Sequence, residues 1–364
     1  MFQSAGMRWI IGVTVYMVVL TLLRFKPWVV RDITASPASV AVPETATRTE
    51  SEPGAGIREQ LAVGFLPVTC HLTCPVTDFA TRTSTTARFE SQRFQDWPTV
   101  AEAMKSGRLD ATFMIAPLAM KLREQGVPVK IVYLGHRDGS TVMVRKNDPA
   151  KGLRDLRGRV FAVPSFQSNQ YLVIRRLMER EGIGENEIKF VTLPPPDMPG
   201  ALAAKAVDAY FVGEPHAARA ELDDTGRVLY HAKDIWPQFI SCVLVVTEKL
   251  IQERPAVVRD LVRGIAESGE WAETHREEAA KIAAPYFKQK EAVIRYVLTR
   301  PPDRVSYRML GPTNAEMQEI QDMALKTGVL EKPIVLRDLL DRSFIPKEIR
   351  PAPIVPEAAD TDKP

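Results

Sequence analysis

Three side chains that bind soft or borderline metal ions fall within five residues of one another: Cys70, His71 and Cys74. Thiolate and imidazole together suit copper(I) or zinc, and a complete site needs at least one further ligand, for which His136 or His216 is available. The same two cysteines allow a disulfide across the turn in an oxidising compartment, and a pair of half-buried thiols is the third state the sequence leaves open. His71, with an ordinary pKa of about 6.5, is neutral for much of the time at pH 7 and can donate to an anion or ligate a metal. Thr69 adds a hydroxyl to the same stretch. Cys242 lies in an apolar run and reads as a core residue.

Three further groups offer binding chemistry. His136-Arg137-Asp138-Gly139-Ser140 follows a strand, and Arg137 has the planar fork that matches a carboxylate or sulfonate; the same residues also read as a plain surface turn. In Pro164-Ser165-Phe166-Gln167-Ser168-Asn169-Gln170 a strand hands over to a helix, so hydroxyl and amide groups of Ser165, Gln167, Ser168 and Asn169 collect at an open helix amino terminus. Helix capping alone would use one of them. Gly213-Glu214-Pro215-His216 ends another strand; Glu214 can accept from an amine, and His216 can donate to an anion or bind a metal, or the stretch is a structural cap. Pro117, between a strand and the helix that follows it, completes the candidate ligand contacts. There is no Gly-rich phosphate loop, nucleophile elbow or His-Glu-x-x-His helix in the sequence.

The elements that must position these groups alternate. The apolar run Leu61 to Leu66 predicts a buried strand, ended by Pro67 to Thr69, with a helix start from about Thr73. Strands are expected over 88–94, 111–115 and 129–134, with helices over 98–106 and 118–125 between them. A second module repeats the order, with strands over 159–163, 188–192 and 209–212 and helices over 168–180 and 200–206. A strand over 241–246 and helical segments to about Gly328, among them the long amphipathic stretch 255–275, then return toward the first module. Such βαβα order argues for mostly parallel sheets. The loop with Cys70 and His71 then emerges at a carboxyl edge, where ligands meet free N–H groups.

At 364 residues and 45% apolar composition the chain is long enough for two packed units. Its 48 basic and 45 acidic residues nearly balance, and without a basic run interleaved with aromatics nucleic acid is excluded as a partner. Trp9 to Leu23 is uncharged and apolar, of signal-peptide length, yet with Arg24 and Lys26 snorkelling it can cross a thin bilayer. An uncleaved membrane anchor is preferred over a cleaved signal. Arg24, Lys26 and Arg31 outnumber Arg8 and the amino terminus, which by the positive-inside rule alone does not place the main domain outside the cytoplasm. Residues 32–57, rich in Ala, Ser, Thr, Pro and Glu, read as a flexible linker, and 347–364 as a disordered tail.

Several stretches carry a resemblance: Val63-Gly-Phe-Leu-Pro67, Ala101-Glu-Ala-Met-Lys-Ser-Gly-Arg-Leu-Asp-Ala111, Gly200-Ala-Leu-Ala-Ala-Lys-Ala-Val-Asp-Ala209 and Phe211-Val-Gly-Glu-Pro215. Over about residues 59–330 the chain resembles the NMT1-like periplasmic solute-binding proteins of ABC importers for nitrate, taurine, alkanesulfonates and bicarbonate. The resemblance implies an α/β, two-lobed type II periplasmic binding protein fold with a ligand cleft between lobes. It also implies an ABC permease as partner, a small polar ligand, no cofactor unless a transition metal is held by Cys70, His71 and Cys74, and an extracytoplasmic location, anchored by the signal anchor or signal peptide at 1–31. The expected division is lobe I over 58–147, lobe II over 148–233, and lobe I again over 234–346. The family's thiamin-pyrimidine relatives imply an alternative, an enzyme or metal-binding protein using the Cys70-His71-Cys74 loop. That loop is where the chain departs from the oxyanion-binding members.

Overall fold

The structure is a computed structural model that describes residues 59–67, 80, 81, 84 and 86–350. Thr69, Cys70, His71 and Cys74, together with the apolar run Trp9 to Leu23, lie outside the described residues. No helix among the described residues is long and apolar enough to cross a membrane.

Among the described residues, eleven strands make two sheets. In chain order they are β1 (Glu59–Phe65), β2 (Ala87–Arg93), β3 (Ala111–Met114), β4 (Val129–Asp138), β5 (Ser140–Arg145), β6 (Val160–Val163), β7 (Lys189–Thr192), β8 (Ala209–Gly213), β9 (Gly226–His231), β10 (Ile240–Thr247) and β11 (Val305–Ser306). The first sheet has the order β11-β4-β10-β3-β1-β2 and the second β7-β6-β8-β5-β9. In the first, β2, β1 and β3 run parallel and β10 lies antiparallel between β3 and β4. In the second, β7, β6 and β8 run parallel, with β5 antiparallel between β8 and β9. Each sheet centres a lobe.

Local chemistry sets the boundaries. The helix Trp97–Lys105 starts where Asp96 accepts from Thr99 N at 2.8 Å with Pro98 in the first turn. Its face of Trp97, Val100, Ala101, Ala103 and Met104 is buried. Strands β3, β8 and β10 are buried on both faces, as central strands covered by helices are. In β1, Gly64 lies so close to Thr112 and Leu109 that a Cβ would stand 2.6 Å from Thr112 Oγ1, which itself donates to Gly64 O at 3.1 Å.

The expected strands before β5 and the helices over 98–106, 118–125 and 168–180 correspond to observed elements. Three strands were not anticipated: β5, β9 and β11. Of these, β5 pairs with β8 and β9 and so sits in the second sheet, whereas the expected lobe II starts only at 148. The cause is Gly139. With Asp138 at φ 60 and Gly139 at φ 67, the chain turns from the first sheet into the second between β4 and β5.

Candidate functional site

The chain crosses between lobes through Asp138-Gly139 and again through the stretch before β10, where Gln238 also has a positive φ of 61. The two crossings are tied together, since Asp138 N donates to Phe239 O at 2.8 Å and Gly139 N to Arg304 O at 2.7 Å. Near these crossings the carboxyl end of β1, at Pro67, comes against the helix that follows β8 of the other sheet.

A side-chain hydrogen bond joins the two lobes there. His216, which opens the short helix after β8, has its Nε2 3.2 Å from the carbonyl oxygen of Pro67, just past β1. A carbonyl can only accept, so Nε2 carries the proton and donates. Burial pushes the imidazole down to about 4, helped by the charges of Arg219 and Arg93 and opposed by the Pro67 bond, so it is neutral at physiological pH.

Arg93 is the residue beside this bond that sequence reasoning missed. It ends β2 in register with Phe65, hence at the same sheet edge as Pro67. Its Nε is buried and makes no hydrogen bond among the described residues. A half-buried guanidinium near a neutral histidine has the charge and donor chemistry that can meet an anionic or strongly accepting group. The legible signal was its position at the end of a parallel strand next to the first loop.

On the other side, Ser165 and Gln167 line a groove with Trp97, Ala101, Leu118 and Lys121 of the first lobe. Ser165 Oγ donates to Gln167 Oε1 and accepts from Gln167 N, each at 3.0 Å. Ser168 is consumed as the cap of the helix Asn169–Arg180, accepting from Tyr171 N at 3.1 Å and donating to Ser165 O at 2.6 Å. Pro117 is buried in the first turn of the helix Ala116–Glu124.

The remaining candidates brace the hinge. Arg137, 3% exposed, gives Nε to Met309 O at 2.9 Å and Nη1 to Gln238 O at 3.0 Å, with Glu316 Oε1 2.6 Å from Nη1. Its fork is occupied by the protein. His136 is buried against Tyr307, with Nδ1 3.0 Å from Arg137 O. Glu214 is fully buried and accepts from Arg304 Nη1 at 3.0 Å, Thr141 Oγ1 at 3.0 Å and Ala218 N at 2.9 Å. Burial works against the Arg304 charge, but Glu214 and Glu221 more than offset it and hold the guanidinium above its usual range. Asn169 reaches across the lobes to Ile240 O. Gln170 Nε2 donates to Ser140 Oγ at 3.1 Å.

The structure thus sets His216 against Pro67, with Arg93 ending β2 at the same sheet edge, places Ser165 and Gln167 on a groove with the first lobe, and ties His136, Arg137 and Glu214 into hydrogen bonds within the protein. No cluster of three His, Cys, Asp or Glu able to hold a metal occurs among the described residues. His136 and His216, the two additional ligands considered for a metal, each have one ring nitrogen on a main-chain carbonyl.

Known proteins share this architecture. The ligand-binding component of an ABC-type import system from Staphylococcus aureus, solved with zinc bound, superposes with a TM-score of 0.72 at 26% identity, covering 79% of this chain and 98% of that one. The alkanesulfonate-binding protein SsuA from Xanthomonas axonopodis pv. citri, bound to MOPS, gives a TM-score of 0.67 at 18% identity over 79% of this chain and all of that one. In sequence, the nitrate import ATP-binding protein NrtC of Synechocystis is 29% identical over 202 residues, 50% of this chain and only 30% of NrtC. The two-lobed periplasmic binding protein fold is therefore shown. The profile of the NMT1-like family matches residues 54–286, well over half of the 364, and the chain belongs to that family.

Proposed function

We propose that this protein is the solute-binding component of an ABC importer, and that it takes a small oxyanion or sulfonate-like ligand between its lobes. The observation that carries the ligand class is Arg93, a half-buried cation at the cleft edge whose Nε has no partner among the described residues. Support for the transport role comes from the family and from relatives described as sulfonate-binding and nitrate-import proteins. In this reading the ligand's charged group meets Arg93, Gln167 contributes an amide from the second lobe, and Thr69, Cys70 and His71 add contacts from the loop after β1. Contacts from both lobes favour the closed state over the open one, and no covalent step is needed.

The reading places the folded domain outside the cytoplasm, tethered through the segment around Trp9 to Leu23, where it hands ligand to a membrane permease. Alkaline phosphatase fused after Gly56 is expected to be active, and an inactive fusion would contradict delivery from outside. Native mass spectrometry of protein purified from its own host is expected to show a small anion travelling with it. A tightly held transition metal without an organic or inorganic anion would instead favour a metal carrier built on Cys70, His71 and Cys74.

A further inference from the structure

The stretch Tyr296 to Arg304 lies in the return expected to fold back onto the first lobe, yet its side chains hold the second. Tyr296, in the helix Glu291–Thr299, donates its hydroxyl to Glu221 Oε2 at 3.2 Å. Asp303 pairs with Lys233 of the helix Ala232–Ile235. Arg304 Nη1 stands 3.0 Å from Glu214 Oε1 and 2.8 Å from Glu221 Oε1, and its Nη2 stands 3.3 Å from Glu221 Oε2, with the guanidinium 5.1 Å from the centre of the Tyr296 ring. The partners are spread over the second lobe: Glu214 just past β8, Glu221 in the helix His216–Leu222, and Lys233 in the helix after β9.

Both ends of the stretch are fixed to the first lobe. Upstream, the helix Glu291–Thr299 packs on the helix Arg276–Phe287, which packs on Pro255–Thr274 against β4. Downstream, Val305 and Ser306 form β11 and pair with Asp138 and Arg137 of β4. Arg276 ties these ends together, its Nη1 donating to Leu298 O at 2.8 Å and its Nη2 to Val305 O at 3.0 Å. The grip on the second lobe is the firmer one. Arg304 is 3% exposed and Glu214 is fully buried, so pulling them apart strands a buried charge, whereas β11 holds β4 over only two residues. The stretch also meets the first crossing, where Gly139 N donates to Arg304 O at 2.7 Å.

We infer that Tyr296 to Arg304 is a strap, a connection between the lobes beyond the two chain crossings, which holds the second lobe against the first before any ligand arrives. Rotation about Asp138-Gly139 and Gln238-Phe239 has two routes. It either carries the strap with the second lobe and peels β11 from β4, or it draws Arg304 out from between its carboxylates. Both routes break bonds that a hinge of two chain crossings alone does not have, so this arrangement of the lobes persists in the ligand-free protein.

Interlobe distances and hydrogen exchange, measured on the ligand-free full chain, test the strap. Spin labels at exposed Glu102 and Lys189, one in each lobe and attached through keto amino acids that spare the cysteines, are expected to give a single distance in wild type. Arg304→Met should add a population at longer distance. In the same variant the amides from Asp138 to Thr141 should exchange at least about tenfold faster, while those of β10 keep their wild-type rate. Should Arg304→Met fail to fold, the double variant Tyr296→Phe with Asp303→Ala decides. It removes the two outer grips, leaves Arg304 on Glu214, and is expected to show the same shift in smaller amount. Unchanged distances in the folded variants, equal acceleration at the crossing and in β10, or a broad spread of distances already in wild type would overturn the strap.

Discussion

His216 Nε2 and the carbonyl oxygen of Pro67, 3.2 Å apart, join the second lobe to the first at the carboxyl edge of both sheets. Because the carbonyl requires a donor, this contact exists only with a proton on Nε2, and because the ring is buried it tolerates no second proton.

Folding lowers the His216 pKa to about 4, so its contribution to stability is complete above the unfolded value near 6.5 and is lost as pH falls toward 4. Between pH 7 and 4.5 wild type should lose roughly 2–3 kcal/mol relative to His216→Gln, as other groups titrate alike in both. Chemical denaturation of the two proteins at both pH values measures this. A constant gap would mean that the imidazole is not held neutral.

Arg304, 2% exposed at its side chain, is the counterion of buried Glu214 and also of Glu221. Arg304→Met leaves Glu214 as an unpaired buried carboxyl and is expected to cost about 3–5 kcal/mol in unfolding free energy. Adding Glu214→Gln should return part of that loss, because the uncompensated charge is gone. If the double variant is less stable than the sum of the singles, the two residues are not acting as a pair.

At the first crossing, Gly139→Ala would put a Cβ 2.8 Å from His136 Cε1 while the backbone stays at φ 67. A loss of about 1–3 kcal/mol is expected from the backbone conformation and the contact together. Urea unfolding reads it directly, and an unchanged midpoint would show that the crossing relaxes freely.

Much of the scaffold was legible because it rests on local patterning. The apolar run at β1, the proline-opened helix at Pro98 and a helix cap within Ser165 to Ser168 each declare themselves within a few residues. At β5 the same logic failed: Asp138-Gly139 is a turn signal, and nothing nearby says that the chain leaves one sheet for another there. The hinge charges failed for a related reason. Arg137 and Glu214 look like ligand contacts beside turns, but their partners, Glu316 and Arg304, come from the far carboxyl-terminal segment. Arg93 was hidden by its strand, where exposed Arg88, Glu90 and Gln92 make a terminal arginine look like one more solvated charge. Only the folded chain brings His216 of the second lobe near enough to feel its charge.

The proposed ligand class rests on an anion meeting Arg93. Titration calorimetry of wild type and Arg93→Met with nitrate, taurine and butanesulfonate tests it most directly. At least one of these is expected to bind wild type, and Arg93→Met should weaken that binding by about tenfold or more, the loss of a charge-assisted hydrogen bond, with thermal unfolding of the ligand-free protein little changed. Binding by Arg93→Met with wild-type affinity would contradict it.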